Sequence, residues 1–168
     1  MEIIRSCAFT GHRNMTDSEK KLACDLLKVR LADLIDNHGT TEFYIGGALG
    51  FDTVAAVALS HLKKEGYEGK FRMTLVCPHR GQEDDWSEYD RSVYKTLLSY
   101  YDEVVTIADK YVNGCMKTRN QYMVDRADML IAYVDTARRR SGSVQTYNMA
   151  VRKGIPVVNM LGEVKGKG

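Results

Sequence analysis

The chain has 168 residues, 44% of them hydrophobic and 27% charged, with 24 basic against 22 acidic side chains and a formal net charge of +2. Such a composition excludes a disordered chain and supplies enough apolar mass for one domain with a real core. The balanced charge speaks against a dedicated nucleic-acid binder, and no apolar run approaches the roughly 20 residues of a membrane span.

Only two prolines occur, and no segment is dominated by Gly, Pro or Ser. A single domain over residues 1–162 is therefore expected, with 163–168 a flexible tail. Cys7, Cys24, Cys77 and Cys115 lie far apart and lack the paired spacing of a metal site, so no metal is expected. With no apolar signal core ahead of Arg5, the chain fits a reducing cytoplasm.

Ile3 to Phe9 reads as a strand and ends in Thr10-Gly11-His12-Arg13. Thr16 with Glu19 has capping-box spacing, and leucines at helical intervals follow until Asn37-His38-Gly39. A second strand, Glu42 to Ile45, ends in Gly46-Gly47-Ala48-Leu49-Gly50-Phe51-Asp52, and a helix runs from about Asp52 to Glu65. Met73 to Cys77 is a third strand, stopped by Pro78. A polar loop with Gln82 and Trp86 leads to a helix from Glu88 to Tyr101, and a fourth strand runs from Val104 to Ala108. A helix from Met116 to Arg126 precedes a fifth, almost wholly apolar strand, Met129 to Val134. The last helix, Ser143 to Lys153, is followed by a sixth strand, Ile155 to Asn159.

Apolar strands alternating with amphipathic helices predict a mainly parallel sheet with helices on both faces. Right-handed crossovers place every strand-to-helix loop on one edge, where such sheets bind ligands at the point of strand-order reversal. An order of 3-2-1-4-5-6 is expected, which would flank that crevice with the loops after the first and fourth strands.

The loop Gly46-Gly47-Ala48-Leu49-Gly50 combines close backbone approach with the free amides of a helix start, an arrangement suited to an anion. Asp52 either caps that helix or accepts from ribose hydroxyls. The spacing matches neither the dinucleotide fingerprint nor a P-loop. In the first loop, Thr10 and Gly11 offer a hydroxyl and a backbone amide, and Arg13 a bidentate donor for phosphate. His12 fits an exposed loop histidine as well as a functional one. Ser141-Gly142-Ser143, with Thr146 one turn on, suits either a serine cap or a further anion contact. Arg138-Arg139-Arg140 just before it reads first as solvated charge, although an arginine-rich loop also suits a cover over an anion. Arg119 opens a helix where a cation is unfavourable, so it and Asn120 call for a partner. Gln82 and Trp86 either clamp a base or anchor their loop.

Taken together, Thr10-Gly11-His12-Arg13, the Gly46–Asp52 loop, Cys77-Pro78 with Gln82 and Trp86, and Ser141-Gly142-Ser143 resemble the YpsA-like family of the SLOG superfamily. That superfamily also holds the DNA-processing protein DprA and the LOG (lysine decarboxylase-like) phosphoribohydrolases. The resemblance implies a Rossmann-like three-layer fold and a nucleotide-like, phosphate-bearing ligand, NAD- and ADP-ribose-derived compounds among the options. It implies no settled cofactor and no settled activity.

Met116-Lys117-Thr118-Arg119-Asn120-Gln121-Tyr122-Met123 is similar to the Met-His-x-Arg-Lys-x-x-Met run of the phosphoribohydrolases, which puts Arg119 on their active-site arginine. Their glutamate, however, falls on Thr146. The expected function is therefore a sensor or regulatory module coupled to a protein partner or a second copy, and the alternative is an N-glycosidic enzyme with Arg119 and Asp52 as its catalytic candidates. Single-stranded DNA is the least expected ligand, because it wants a basic groove.

Overall fold

The computed structural model describes residues 2–167. In chain order the elements are β1 (Ser6–Gly11), α1 (Asp17–His38), β2 (Glu42–Ile45), α2 (Phe51–Leu62), β3 (Arg72–Cys77), α3 (Glu88–Leu98), β4 (Glu103–Thr106), α4 (Cys115–Arg126), β5 (Met129–Tyr133), α5 (Gly142–Lys153), β6 (Val157–Asn159) and α6 (Leu161–Lys167). The six strands form one sheet, and every neighbouring pair is parallel. Among the described residues no helix is long and apolar enough to cross a membrane.

Local signals account for most boundaries. Thr16 Oγ1 accepts from the Glu19 amide at 3.1 Å, and the Glu19 carboxylate accepts from the Thr16 amide at 2.8 Å. This reciprocal cap satisfies two of the donors left free at the start of α1. Gly39 ends the helix in the left-handed conformation at φ 71°. α2 ends at Leu62, and in the turn that follows, Lys63–Tyr67, the backbone leaves helical geometry at Glu65 and Gly66 (φ 103°). The buried Lys63 uses that turn to reach the Asp102 carboxylate at 3.0 Å, and Asp102 in turn accepts from the Met73 amide at 2.9 Å. These bonds fasten the entry to β4 onto β3.

The strands divide their side chains between two cores by the period of two. Cys7 and Phe9 of β1, with Ile131 and Tyr133 of β5, pack against α1 and α2. Ala8, Leu130 and Ala132 point the other way and pack with Met123, Val124, Val144 and Met149 of α4 and α5. Both faces of the sheet centre are thus covered, which is why β5 reads as an unbroken apolar run.

The strand order is β4-β3-β2-β1-β5-β6, not the expected 3-2-1-4-5-6. β4 lies outside β3 at one edge, and β5 takes the place beside β1. Burial explains the arrangement. The five residues of β5 are all buried, whereas three of the four residues of β4 are exposed and the fourth is half-buried. An apolar strand loses least by being covered on both faces, and a polar one by facing solvent at the edge. The order reverses between β1 and β5, so the crevice is flanked by the loops after those two strands.

Of the stretch 163–168, expected as a flexible tail, residues 163–167 belong to α6 instead. Val164 is fully buried, Glu163 pairs with Arg30 at 3.0 Å and Lys165 with Glu19 at 3.2 Å. Gly168 lies outside the described residues.

Candidate functional site

At the carboxyl ends of β1 and β5 a cleft of about 660 Å³ opens. It is walled by the loop after β1, the start of α2, the first two turns of α4 and the loop leading into α5. Eleven residues singled out from the sequence line it: Thr10, Gly11, His12, Arg13, Ala48, Asp52, Arg119, Asn120, Ser141, Gly142 and Ser143.

Asp52 stands in the first turn of α2 and lines both the cleft and the small recess beside it. Oδ2 accepts from the Ala48 amide at 3.2 Å, while Oδ1 is buried without a hydrogen-bond partner. Burial pushes its pKa up to about 6, against the opposing pull of Arg119, the Ala48 amide and Arg13.

Arg119 lies across the cleft floor and is itself buried. Nε donates to Asn120 Oδ1 at 2.8 Å; Nη1 donates to the carbonyls of Gly46 at 2.7 Å and Val76 at 3.3 Å. Among the described residues, Nη2 has no acceptor. Glycine at position 46 admits this approach, because a Cβ there would come within 2.6 Å of Nη1. α4 begins at Cys115, so Arg119 is in its second turn, past the first-turn position expected from the sequence. Its partners are backbone carbonyls from two strand ends. Burial lowers its pKa and Asp52 opposes that shift.

The loops are held in place by His12 and Gly50. His12 Nε2 accepts from the Asp135 amide at 2.7 Å, which ties the β1 loop to the β5 loop. A nitrogen that accepts carries no proton, so the neutral ring is the Nδ1–H tautomer. Burial, and next the charge of Arg138, lower the His12 pKa. Gly50 sits at φ 82°, and a Cβ on it would lie 2.5 Å from the backbone of Arg13 and His12.

At the far wall, Ser141 caps α5 through its hydroxyl, which accepts from the Val144 amide at 3.3 Å. The Ser143 hydroxyl donates to the Gly11 carbonyl at 2.8 Å and binds α5 to β1. The Ser143 proton is thereby spent on the fold, whereas Ser141 only accepts and its O–H has no acceptor among the described residues. The other donors left over are the amides of Gly142 and Ser143, which have no acceptor among the described residues. Arg138, Arg139 and Arg140 line the same wall.

The remaining sequence candidates lie elsewhere. The Gly46 carbonyl points back to Arg119 and to Gln82 Nε2, which also donates to Tyr94 OH at 3.3 Å. Trp86 meets the Tyr94 ring edge-on at 5.4 Å, and with Gly47 it lines a recess of only about 20 Å³ on the β3 side. Pro78 ends β3 outside the cleft lining, and Gly50 faces a separate groove. Thr146 is fully buried and donates to the Gly142 carbonyl of its own helix at 2.9 Å. Asp52 is therefore the one carboxylate among the described lining residues. No group of three potential metal ligands occurs among the described residues.

Phe9, Asn14, Met116, Met123 and the arginines 138–140 complete the lining. Phe9 and Asn14 carry no sequence signal beyond adjacency to a motif, whereas Met116 and Met123 are the two methionines of the run around Arg119. The arginines had one in their position directly before a Ser-Gly-Ser helix start.

The buried carboxylate carries a stability prediction. A carboxyl that ordinarily titrates near 3.8 holds its proton to about pH 6 in the fold, so between these values the unfolded chain binds fewer protons. Stability contributed by this group is present below the lower value and falls as pH rises through the window, by on the order of 3 kcal/mol. Asp52→Asn cannot ionise and still accepts from Ala48. Urea unfolding should find it more stable than the parent at pH 8 and equal to it near pH 4. A constant difference across that range would mean that Asp52 titrates as an ordinary surface acid.

The YpsA family (YspA SLOG family) matches residues 7–154. The uncharacterized SPbeta prophage-derived protein YoqJ of Bacillus subtilis (strain 168) is 31% identical across 77% of this chain and 80% of its own length. A UPF0398 protein of Bacillus thuringiensis (strain Al Hakam) is 25% identical across 73% of this chain and 72% of its own. Among solved structures, DNA processing protein A from Helicobacter pylori superposes with a TM-score of 0.62 at 19% identity, over 98% of this chain and 73% of that one. Motifs, topology and these likenesses agree, and the chain belongs to the YpsA family of the SLOG superfamily.

Proposed function

We propose that the protein binds a nucleotide-like ligand through its phosphate in the cleft between β1 and β5, and acts as a sensor or regulatory module. The observation that carries this reading is a convergence of donors. Gly142 and Ser143 with their free amides, Arg119 with its free Nη2, Arg13 and Arg138–140 all line one cleft, in which Asp52 is the only carboxylate among the described lining residues. Amides at a helix start and arginine forks are the groups that hold phosphate. Superfamily membership supports the same class of ligand. NAD- and ADP-ribose-derived compounds fall within it, and a protein partner or second copy would read the occupancy.

Melting the protein in the presence of nucleoside mono- and diphosphates, NAD and ADP-ribose tests the reading. A binder at a hundred times its Kd adds about 2.7 kcal/mol, or roughly 5–10 °C for a domain of this size. If neither nucleotides nor free phosphate and ribose phosphate raise the melting temperature, the reading is wrong.

One observation favours turnover as a second reading: Asp52 keeps an unpartnered oxygen beside Arg119. Breaking an N-glycosidic bond leaves positive charge on the ribose, which a carboxylate stabilises while water adds to the anomeric carbon and the base takes up a proton. Chromatography of each binder after incubation separates the two readings, since free base and ribose phosphate appear only with an enzyme.

The Helicobacter protein's structure is described for its single-stranded DNA binding mode. The net charge of +2 does not recommend that ligand here, and a gel shift at low salt would reveal it.

A further inference from the structure

A second concavity of about 540 Å³ lies beside the cleft, between α1, α2 and α3. The two are separated by a ridge where Gly50 presses against the backbone of His12 and Arg13, and Arg13 lines both sides. Its floor is apolar, with Val54, Val57 and Val93. Tyr89, at its edge in the first turn of α3, leaves 75% of its surface exposed. Its charged lining balances once Arg13 is counted, with Arg13, Lys20 and Lys21 against Asp17, Asp25 and Asp90, and Lys21 is already paired with Asp25 at 3.4 Å.

We propose that this groove is the second half of the ligand site. It takes a neutral planar group joined through phosphate at Arg13 to the nucleotide part in the cleft. The proposal rests on the phosphate-binding reading above and extends it to a two-ended, phosphate-bridged ligand. The physical argument has three parts. Each concavity falls within the range of about 300–1,000 Å³ usual for small-molecule sites. The one cation that borders both stands on the ridge any connecting chain must cross, where a bridging phosphate would be held. An apolar floor with an exposed aromatic ring and a charge-neutral rim suits a heteroaromatic ring, whereas a second phosphate would want an excess of cations.

Calorimetric titration of the intact protein with four pairs of probes provides the test. Each nucleoside 5′-monophosphate (AMP, GMP, CMP, UMP) is compared with its own P1,P2-dinucleoside 5′-diphosphate. For the base that the cleft accepts, the two-ended probe should bind at least about tenfold more tightly. Val57→Trp, which fills the groove floor, should abolish that difference and leave the monophosphate affinity unchanged. Tyr89→Ala, on the surface, should cut the two-ended affinity several-fold with no change in melting temperature, so the test survives should the tryptophan variant fold poorly. If mono- and two-ended probes bind equally, or if neither substitution reduces the difference, the groove is not part of the site although the cleft reading stands. Binding of no probe at all would remove both.

Discussion

Arg119→Ala is expected to lose both the ligand and a large part of the fold's stability. The guanidinium makes three hydrogen bonds, two of them to carbonyls at the ends of β2 and β3, inside the floor of the cleft. Its removal leaves the Val76 carbonyl short of a donor and takes from Asp52 the strongest attraction acting on its carboxylate. Breaking a buried charged contact in this way costs about 3–5 kcal/mol, which for a domain of this length lowers the melting temperature by roughly 10 °C. Ligand affinity should fall by about ten- to a hundredfold, the usual scale for losing a charge-assisted donor to phosphate. Arg119→Lys separates the two roles. An ammonium can satisfy one carbonyl but cannot span Gly46 and Val76 while also reaching Asn120. Partial recovery of stability without recovery of binding is expected. Asp52 should also hold its proton to higher pH in the alanine variant, so the fall of stability with pH moves upward. Full ligand affinity in the lysine variant would show that Arg119 is a structural strut alone.

Gly142→Val is expected to have the opposite signature, with binding lost and the fold untouched. Gly142 lines the cleft at the first position of α5, and a Cβ on it would meet no atom within 4 Å. Its φ lies outside the left-handed range, so the backbone does not demand glycine there. A side chain there would extend into open space at the helix start that carries the two free amides. Unfolding should therefore change by no more than about 0.5 kcal/mol, the scale of a neutral surface substitution. Nucleotide-induced stabilisation should disappear. Gly50→Ala is the control, since it combines φ 82° with backbone atoms at 2.5 Å and should destabilise the protein with or without ligand. If Gly142→Val binds as the parent does, the helix start is not where phosphate sits, and the arginines must hold it elsewhere along the cleft.

Much of this architecture was legible in the chain. The Thr16–Glu19 box, the stop at Gly39 and the apolar run of β5 are local features, and each is decided by hydrogen bonds or burial within a few residues. The motifs at 10–13 and 141–143 were equally readable, because residues that follow strands in a parallel sheet must reach the same edge. Local pattern does not state which strand lies beside which. β4 and β5 are both short and β-like in the sequence, and only the comparison of their burial in the folded sheet shows why one is an edge and the other a centre. The crevice moved with that exchange, from the loops of β1 and β4 to those of β1 and β5.

The amino-acid sequence by itself determined the α/β class, the parallel sheet, the edge that carries the loops and the family. These follow from periodicity and from residue types at strand ends. The tertiary structure alone decided how those loops are used. It turned Arg119 onto two carbonyls, buried one oxygen of Asp52 without a partner, used the Ser143 proton and the Ser141 oxygen on the fold and left the amides of α5 free. It also sent Gln82 and Trp86 to the β3 side and gathered Arg138–140 at the cleft. The physical reason is that a side chain's partners come from segments distant in sequence. The choice between capping, packing and ligand contact is settled by which donors and acceptors remain unsatisfied once the chain has folded.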